Sequence, residues 1–482
     1  MLKEREILRG YTFVLTIIII CLFLCVEVYS SSDAFLARCI KIGESRDPKL
    51  AITHEQIQLA ESRATRAARS FFPQVTLQHT RSKGTTAMAE RNSGSGVFED
   101  YEYNSESYGI KASQSIYEGY RAKGTYKYES MMVTVARFNY IKTREELFAK
   151  IKLAYYEYIT LKQEYNALAD ANEIVSQLFK KVQKEYKARA ISQLDLLEAE
   201  HFKDKIYDMY EAARINMNFA IKKLISVIGV SDVVEINEKE VDFLPDDVPE
   251  ISFSLDDLLK FVLTNNLDVQ SAKIQSEMAD MKIKINRSKI IPKFYVDGFY
   301  GKSGEAFTTQ PLQLSMSWNV MGKLSWGLWG NSLEASYSKE RTEPTSIIDA
   351  SKRVDTVTQD IKFALLDDLG YFVDSKESKV GFNQANSDYV ETLKSKRLDT
   401  EKSYNDYLNS LNNARTLKKE IAYRKRKIAL LKKQNSLYEV STVNLMEETL
   451  KYAESISAYA RATYQNYSSV TEIERLILMP LR

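Results

Sequence analysis

From Leu147 onward, apolar residues recur every seven positions: Leu147, Ala154, Leu161, Leu168, Val175 and Val182. Ile151, Tyr158, Tyr165, Phe179 and Tyr186 fill the second position of the same seam, with Asn172 as its one polar member. A 4-3 spacing held over several heptads marks a coiled-coil helix. The helix expected over 119–190 would run about 105 Å at 1.5 Å per residue. The chain then turns near Ala188-Arg189-Ala190 and returns as a helix over 192–228. Ahead of the long helix the period is two. Val75, Leu77 and His79 alternate with Gln74, Thr76 and Gln78, and Tyr108, Ile110, Ala112 and Ile116 alternate with Lys111, Ser113 and Ser115. These patterns predict strands near 73–82 and 105–117, each with one apolar and one wet face. The polar stretch 82–104 reads as a surface loop. A helix is expected from about Asp33 to Phe72, stopped by Pro73, which lacks an amide donor and disfavours helix in the residue before it.

The same text occurs a second time. Asp47-Pro48-Lys49-Leu50 and Asn266-Leu267-Asp268-Val269 each open a helical stretch that ends 25 residues later, at Pro73 and Pro292 (73 less 48; 292 less 267). Such a long unit is no solenoid repeat. The turn text Ser192-Gln193-Leu194-Asp195-Leu196-Leu197-Glu198 is echoed by Ser441-Thr442-Val443-Asn444-Leu445-Met446-Glu447. The copies are 219 residues apart at the prolines (292 less 73) and 249 at the turns (441 less 192), so the second copy holds 30 more residues. The partition is a first repeat over 31–228, a linker over 229–252 containing Pro245 and Pro249, and a second repeat over 253–482. The second repeat should carry a helix to Ile291, strands near 293–302 and 356–366, a long helix over 368–439 and a return helix over 441–480. The additional residues fall in about 303–355. There Leu312, Leu314, Met316, Trp318 and Val320 alternate with polar residues, which suggests an extra β-hairpin or else a long external loop.

Composition narrows the class. With 67 basic and 65 acidic residues among 482, the chain lacks the basic excess of a nucleic-acid binder. Eight prolines and 17 glycines suit long unbroken helices. Residues 1–30 read as an export signal: Lys3, Arg5 and Arg9 precede an apolar run from Val14 to Val26, and Val28-Tyr29-Ser30 offers a cleavage site. The alternative is a retained anchor. Cys25 follows Leu22-Phe23-Leu24, a poor match to a lipoprotein signal, so Cys39 alone remains in the mature chain and no disulfide or Cys metal site is expected. His54, His79 and His201 are scattered, and no phosphate loop or nucleophile motif is present, so no catalytic residue, metal or cofactor is assigned. The runs Arg424-Lys425-Arg426-Lys427 and Lys418-Lys419-Glu420 read as solvated helix faces.

Strands of about ten residues cross a bilayer only within a closed barrel. The two halves supply four such strands, or six with the insertion; four cannot close a barrel with a lumen, so several copies must share one. On the duplicated helix–proline–strand units and the Ser192–Ala199 turn, the chain resembles the TolC-like outer-membrane efflux proteins. The resemblance implies an α+β membrane protein in which a long coiled-coil α-barrel continues a transmembrane β-barrel, both shared by a homotrimer. It implies an outer-membrane location in a Gram-negative-type bacterium, with the helices in the periplasm. The partners implied are a periplasmic adaptor (membrane fusion protein), an inner-membrane transporter of RND, ABC or MFS type, and outer-membrane lipid. The function implied is a passive exit channel, for drug or solute efflux or for type I secretion. The family also has four strands per chain, so the 30 extra residues depart from it. By register, Asn444 and Glu447, with Asp195 and Glu198, fall at the periplasmic aperture, where three copies of Glu447 would form a carboxylate ring. Ala190, Ile191, Val440 and Val443 are the candidate adaptor contacts. Tyr108, Tyr117, Tyr300 and Trp318 are candidates for the interfacial girdle of a membrane barrel. The rival readings are a duct devoted to one exported polymer and an envelope coiled-coil scaffold held by an uncleaved N-terminal helix.

Overall fold

The structure, a computed structural model, describes residues 31–89, 98–230, 248–307, 311–328, 330–343, 354–367, 369–437 and 439–479. The export-signal reading and most of the expected linker lie outside them. The chain runs α1 (Ser31–Arg46), α2 (Pro48–Ala68), β1 (Gln74–Ala89), β2 (Phe98–Tyr117), α3 (Arg121–Lys187) and α4 (Gln193–Ile228). It continues as α5 (Leu255–Asn265), α6 (Leu267–Arg287), β3 (Lys293–Phe307), β4 (Ser315–Leu328), β5 (Asn331–Thr342), β6 (Val354–Ala364), α7 (Gly370–Ser436) and α8 (Thr442–Ile477). Corresponding helices have equal lengths: α2 and α6 have 21 residues, α3 and α7 have 67, α4 and α8 have 36. Pro73 and Pro292 each stand one residue before a strand, after a short 3-10 turn at Arg69–Phe71 or Ser288–Ile290.

Three expectations need correction. The helix expected over 33–72 is two helices, because Asp47 acts as an N-cap: the Leu50 N–H donates to its Oδ1 at 2.9 Å, and Pro48 takes the first helical position. The helix expected to reach Ile291 divides in the same way at Asn266, whose side chain accepts from the Asp268 N–H at 3.0 Å. The polar stretch 82–104 is largely strand. β1 and β2 pair in unbroken register from Gln74↔Ser113 to Ala89↔Phe98. Ladder hydrogen bonds do not need an apolar face, so the strands outrun their hydrophobic alternation.

The chain divides into two compact units. One comprises Met1–Leu50, Thr143–Val262 and Leu398–Arg482; the other comprises Ala51–Lys142 and Leu263–Arg397. The first unit is helical. Its seam residues Leu147, Ile151, Ala154, Tyr158, Leu168, Val175 and Val182 are buried, while Tyr186 at the end of α3 is exposed. They pack with Phe35, Leu36 and Cys39 of α1, with the apolar face of α4, and with Val443, Met446, Leu450 and Ala453 of α8. Burial pushes the Cys39 thiol up to about 11, which leaves it inert at neutral pH. The second unit holds the sheet, whose six antiparallel strands lie in chain order from β1 to β6. The inserted hairpin β4–β5 pairs along its length with β3 on one side and β6 on the other. It is therefore part of the sheet rather than an external loop. Its turn contains Gly330 at φ +95°, a conformation that favours glycine.

Candidate functional site

Two places in the fold carry the candidate chemistry: the sheet and the helical turns. In the sheet, the strand register separates the side chains into two faces. One face takes Val75 and Leu77 from β1, Ile110 and Ala112 from β2, Phe294, Val296 and Tyr300 from β3, and Trp318, Val320 and Leu324 from β4. Leu333, Ala335 and Tyr337 of β5 and Val357, Ile361 and Phe363 of β6 continue it. These apolar side chains are open to solvent in the single chain: Leu77 is 81 % exposed and Ile361 76 %. From Trp318 to Trp326 on β4 is about 26 Å along the strand at 3.3 Å per residue, which at a barrel strand's tilt of about 40° is about 20 Å of height, against about 25 Å for a bilayer-facing band.

Aromatic residues bound that band at both ends. Away from the proline turns lie Tyr108, Tyr300 and Trp318, and the Arg341 guanidinium sits 5.7 Å from the Trp318 ring. Near the turns lie Tyr117, Phe294, Trp326 and Phe363, and the Trp326 indole N–H donates to the Ile290 carbonyl at 3.1 Å. Trp326, Phe294 and Phe363 escape a reading of the sequence. A period-two pattern shows which residues share a face, but not which end of the face they reach. The opposite face is polar: Lys111, Lys323 and Lys362 stand with Asp297, Glu305, Glu334, Glu340 and Asp360. Lys323 pairs with Glu334 at 3.1 Å, and the Ser113 hydroxyl donates to Asp297. The β2 and β3 backbones meet closely here, since a Cβ on Gly109 would lie 2.6 Å from the Tyr300 carbonyl oxygen.

The helical turns belong to the first unit. In the α3–α4 turn, Arg189 takes the left-handed conformation, Ser192 caps α4, and Asp195 closes a capping box. The Ser192 N–H donates to Asp195 Oδ2 at 3.0 Å and its hydroxyl at 2.7 Å, which holds the exposed Asp195 carboxyl below the usual carboxylate range. Asp195 thus has a structural task in its own turn. Glu198 is exposed. In the second turn the Asn444 N–H donates to Ser441 Oγ at 3.2 Å. Asn444 is exposed, and Glu447 is ion-paired along its own helix to Lys451 at 2.5 Å. A Glu447 ring would therefore carry its own counter-charges.

Of the candidate contact residues, Ala190 is exposed, while Ile191 and Val440 are half-buried. Val443 is corrected: it is only 6 % exposed and packs into the core with Met446 and Val182, so it offers no free surface. Leu194 and Leu197, on the first turn of α4, are exposed instead, as is Leu437 at the end of α7.

The main feature missed from the sequence is Glu448. It is 4 % exposed and lies between two bases of α7: Arg424 Nη1 is 3.1 Å from Oε1, and Lys427 Nζ is 2.7 Å from Oε2. Burial acts to raise its pKa, but donation from Lys427 and the charges of Lys427 and Arg424 prevail and hold it below the ordinary value. This corrects the reading of Arg424–Lys427 as a solvated face: Lys425 and Arg426 are exposed, whereas Arg424 and Lys427 turn inward. A second, half-buried network lies nearer the turn. Lys181 donates to Asn435 Oδ1 at 2.6 Å, Asn435 Nδ2 donates to the Val440 carbonyl at 2.9 Å, and the Thr442 hydroxyl donates to Glu185 at 3.0 Å. It ties the α7–α8 hairpin to the end of α3. Among the described residues no three His, Cys, Asp or Glu side chains are grouped to hold a metal, and no helix is long and apolar enough to cross a membrane.

An apolar band across the six described strands, with coiled coils among the described helices, has counterparts among solved structures. The Campylobacter jejuni CmeC outer membrane channel matches with a TM-score of 0.66 and 14% identity, covering 92% of this chain and 85% of that one. The Vibrio cholerae outer membrane protein VceC matches with a TM-score of 0.69 and 10% identity, covering 93% and 97%. The Neisseria gonorrhoeae MtrE outer membrane channel matches with a TM-score of 0.65 and 12% identity, covering 93% and 89%. This is the fold of the TolC-like outer-membrane channels. Residues 41–204 match the family model described as outer membrane efflux protein. Among curated protein sequences no relative matches. The TolC-like resemblance thus holds in fold across nearly the whole chain and in sequence over much of the first repeat.

Proposed function

We propose that three copies of this chain form a passive exit duct through the outer membrane of a Gram-negative-type bacterium. The observation that carries the proposal is the apolar face shared by the six described strands, in a sheet whose two edges, β1 and β6, have no neighbouring strand among the described residues. Exposed edges and an apolar face together are unstable in water and natural in a membrane barrel. Six strands from each of three copies, β1 of one pairing with β6 of the next, would close an eighteen-stranded barrel of porin width. The polar face then lines the lumen, and the helices extend into the periplasm.

In this reading the turns at 188–192 and 437–441 form the periplasmic tip, with Asn444, Glu447, Asp195 and Glu198 near the aperture. Ala190, Leu194, Leu197 and Leu437 would present the surface for a periplasmic adaptor, which delivers cargo from an inner-membrane transporter of RND, ABC or MFS type. The Glu448 cluster and the Asn435 network keep the tip shut until the adaptor separates the α7–α8 coil from its neighbours. Energy comes from the transporter, so the chain itself needs no catalysis. Recording from purified, heat-modifiable trimers in a planar bilayer tests the proposal. A small closed-state conductance that rises when Glu448→Ala loosens the tip supports it. Inserted, folded trimers that conduct nothing in either form would sink it.

A further inference from the structure

The second unit also contains a trough between three of its helices. The N-terminal part of α3, the C-terminal half of α6 and the N-terminal part of α7 surround about 730 Å³, within the range of about 300–1,000 Å³ typical of small-molecule sites. α3 and α7 are equivalent helices of the two repeats, so the two walls compare position by position at the offset of 249 (377 less 128; 381 less 132). The α3 wall is bulky and apolar, with Tyr128, Met132 and Val135. The α7 wall is bare: Glu377 stands at the position of Tyr128, and Gly381 at that of Met132. Met278 and Ile285 of α6 supply apolar surface between them. Gly381 lies inside a 67-residue helix, where glycine is the poorest former after proline. A glycine kept in a helix commonly permits a close approach. Gly124 of α3 does so, since its Cβ would lie 2.8 Å from Ile285. A Cβ on Gly381 would meet nothing within 4 Å, so no packing within the chain calls for glycine there. Its effect is to leave the trough open where a methionine would close it.

We infer that this trough binds an amphipathic organic cation, its apolar body seated on Met132 and Met278 and its positive group at Glu377. The charged groups lining the trough are Lys282, Asp374 and Glu377. Two of them have partners: the Lys282 ammonium lies 5.5 Å from the centre of the Tyr128 ring, and Asp374 is paired with Lys289. These four charges sum to zero, so the preference comes from placement. Glu377 projects from the bare wall and has no ion pair among the described residues. Methionine side chains adapt to apolar bodies of different shapes, so the site selects by charge and amphipathic character more than by outline. The inference goes beyond the exit-duct reading and does not require it, because every lining residue belongs to one compact unit.

The test uses the full-length protein in phosphatidylcholine nanodiscs, with the fluorescence anisotropy of rhodamine 6G, a flat apolar cation, as readout and empty discs as the blank. The wild type should bind the dye saturably. Gly381→Met, which gives α7 the residue of α3, should lose at least about tenfold in affinity. It should melt no lower than the wild type, since methionine is the better helix former. Glu377→Gln should lose about threefold, the modest effect of an exposed ion pair. Fluorescein, an anion on the same ring system, should bind the wild type more weakly than rhodamine 6G, and Glu377→Gln should narrow that gap. Rhodamine 6G bound equally by the wild type and Gly381→Met, or fluorescein bound as tightly as rhodamine 6G by the wild type, would overturn the inference. Wild-type protein that binds no dye overturns it too, and would mean that a neighbouring copy fills the trough. Conductance recorded on the same preparations separates the two readings. Channels that conduct without binding overturn the trough alone, and protein that binds without conducting overturns the duct alone.

Discussion

The two repeats have helices of equal length and different interiors. An offset of 249 residues places Val175 on Arg424, Leu178 on Lys427, and Ala199 on Glu448 (424 less 175; 427 less 178; 448 less 199). In the first repeat Val175 and Ala199 are fully buried and Leu178 packs against them. In the second the same three positions hold the buried Glu448 carboxylate and two half-buried bases. The apolar version gains from dispersion and burial, is insensitive to pH, and offers no alternative partner in water. The ionic version gives up desolvation energy for a contact that water or another charge can replace. One scaffold thus carries a hairpin built to stay closed and one whose closure depends on its charges. The β segments differ too: two strands in the first repeat and four in the second.

The largest expected effect comes from making the β segments alike. Deleting residues 311–343 removes β4 and β5 and leaves β3 and β6 to pair as β1 and β2 do. Trimers should still insert, and the size of neutral polymer admitted from the barrel side should fall clearly. An unchanged size limit would mean that the hairpin lies outside the wall. Next comes the ion cluster. Glu448→Ala leaves Lys427 without its carboxylate and Arg424 with Glu420 alone, and, since both bases keep some contact with water, should cost about 1–2 kcal/mol. The loss should appear as faster amide exchange across 420–450, with the α3–α4 turn unaffected. The first-repeat set, Arg424→Val with Lys427→Leu and Glu448→Ala, should recover that loss and exceed the wild type by about 1 kcal/mol or more. Its tip should also stay shut in the bilayer. A triple variant less stable than Glu448→Ala alone would break the comparison.

Acid should act on the same difference. The Glu448 carboxyl is held below its unfolded value, so its stabilising contribution is complete above the ordinary carboxylate range and fades as the pH falls through the depressed native value. Exchange in the α7–α8 coil should therefore rise on acidification before that in the Val175–Ala199 coil. Equal onset in both coils would argue that the cluster contributes nothing. The smallest effect concerns the caps. Ser192 belongs to a full capping box and Ser441 only accepts from Asn444, so Ser192→Ala should cost about 1 kcal/mol and Ser441→Ala less. Fraying of the first turns of α4 and α8, followed by exchange, measures the ranking.

These differences also show what was legible in the sequence. The long helices were, because a heptad seam such as Leu168-Val175-Val182 depends only on neighbours along one chain. Val75-Leu77 and Ile110-Ala112 were legible as strands for the same reason. The breaks at Asp47 and Asn266 were not, since a cap is a choice between two local hydrogen-bonding solutions. Nor was strand continuing through Ser82–Ala89, which depends on a partner in β2. Glu448 was out of reach for a third reason. An acid on a helix is ordinarily solvated, and only the packing of α8 against α7 shows that its partners lie 21 and 24 residues away. Val443 was misread for lack of the same packing information.

The account depends most on the open sheet closing between copies. Cysteine substitutions at Thr76 on β1, combined in turn with Thr358, Asp360 or Lys362 on β6, and oxidised in membranes, test this directly. Closure between copies predicts that one register gives a covalent trimer on denaturing gels, with dimer as the intermediate and no cross-link within a chain. Trimers that assemble in the membrane yet yield no inter-chain β1–β6 bond in any register would contradict it.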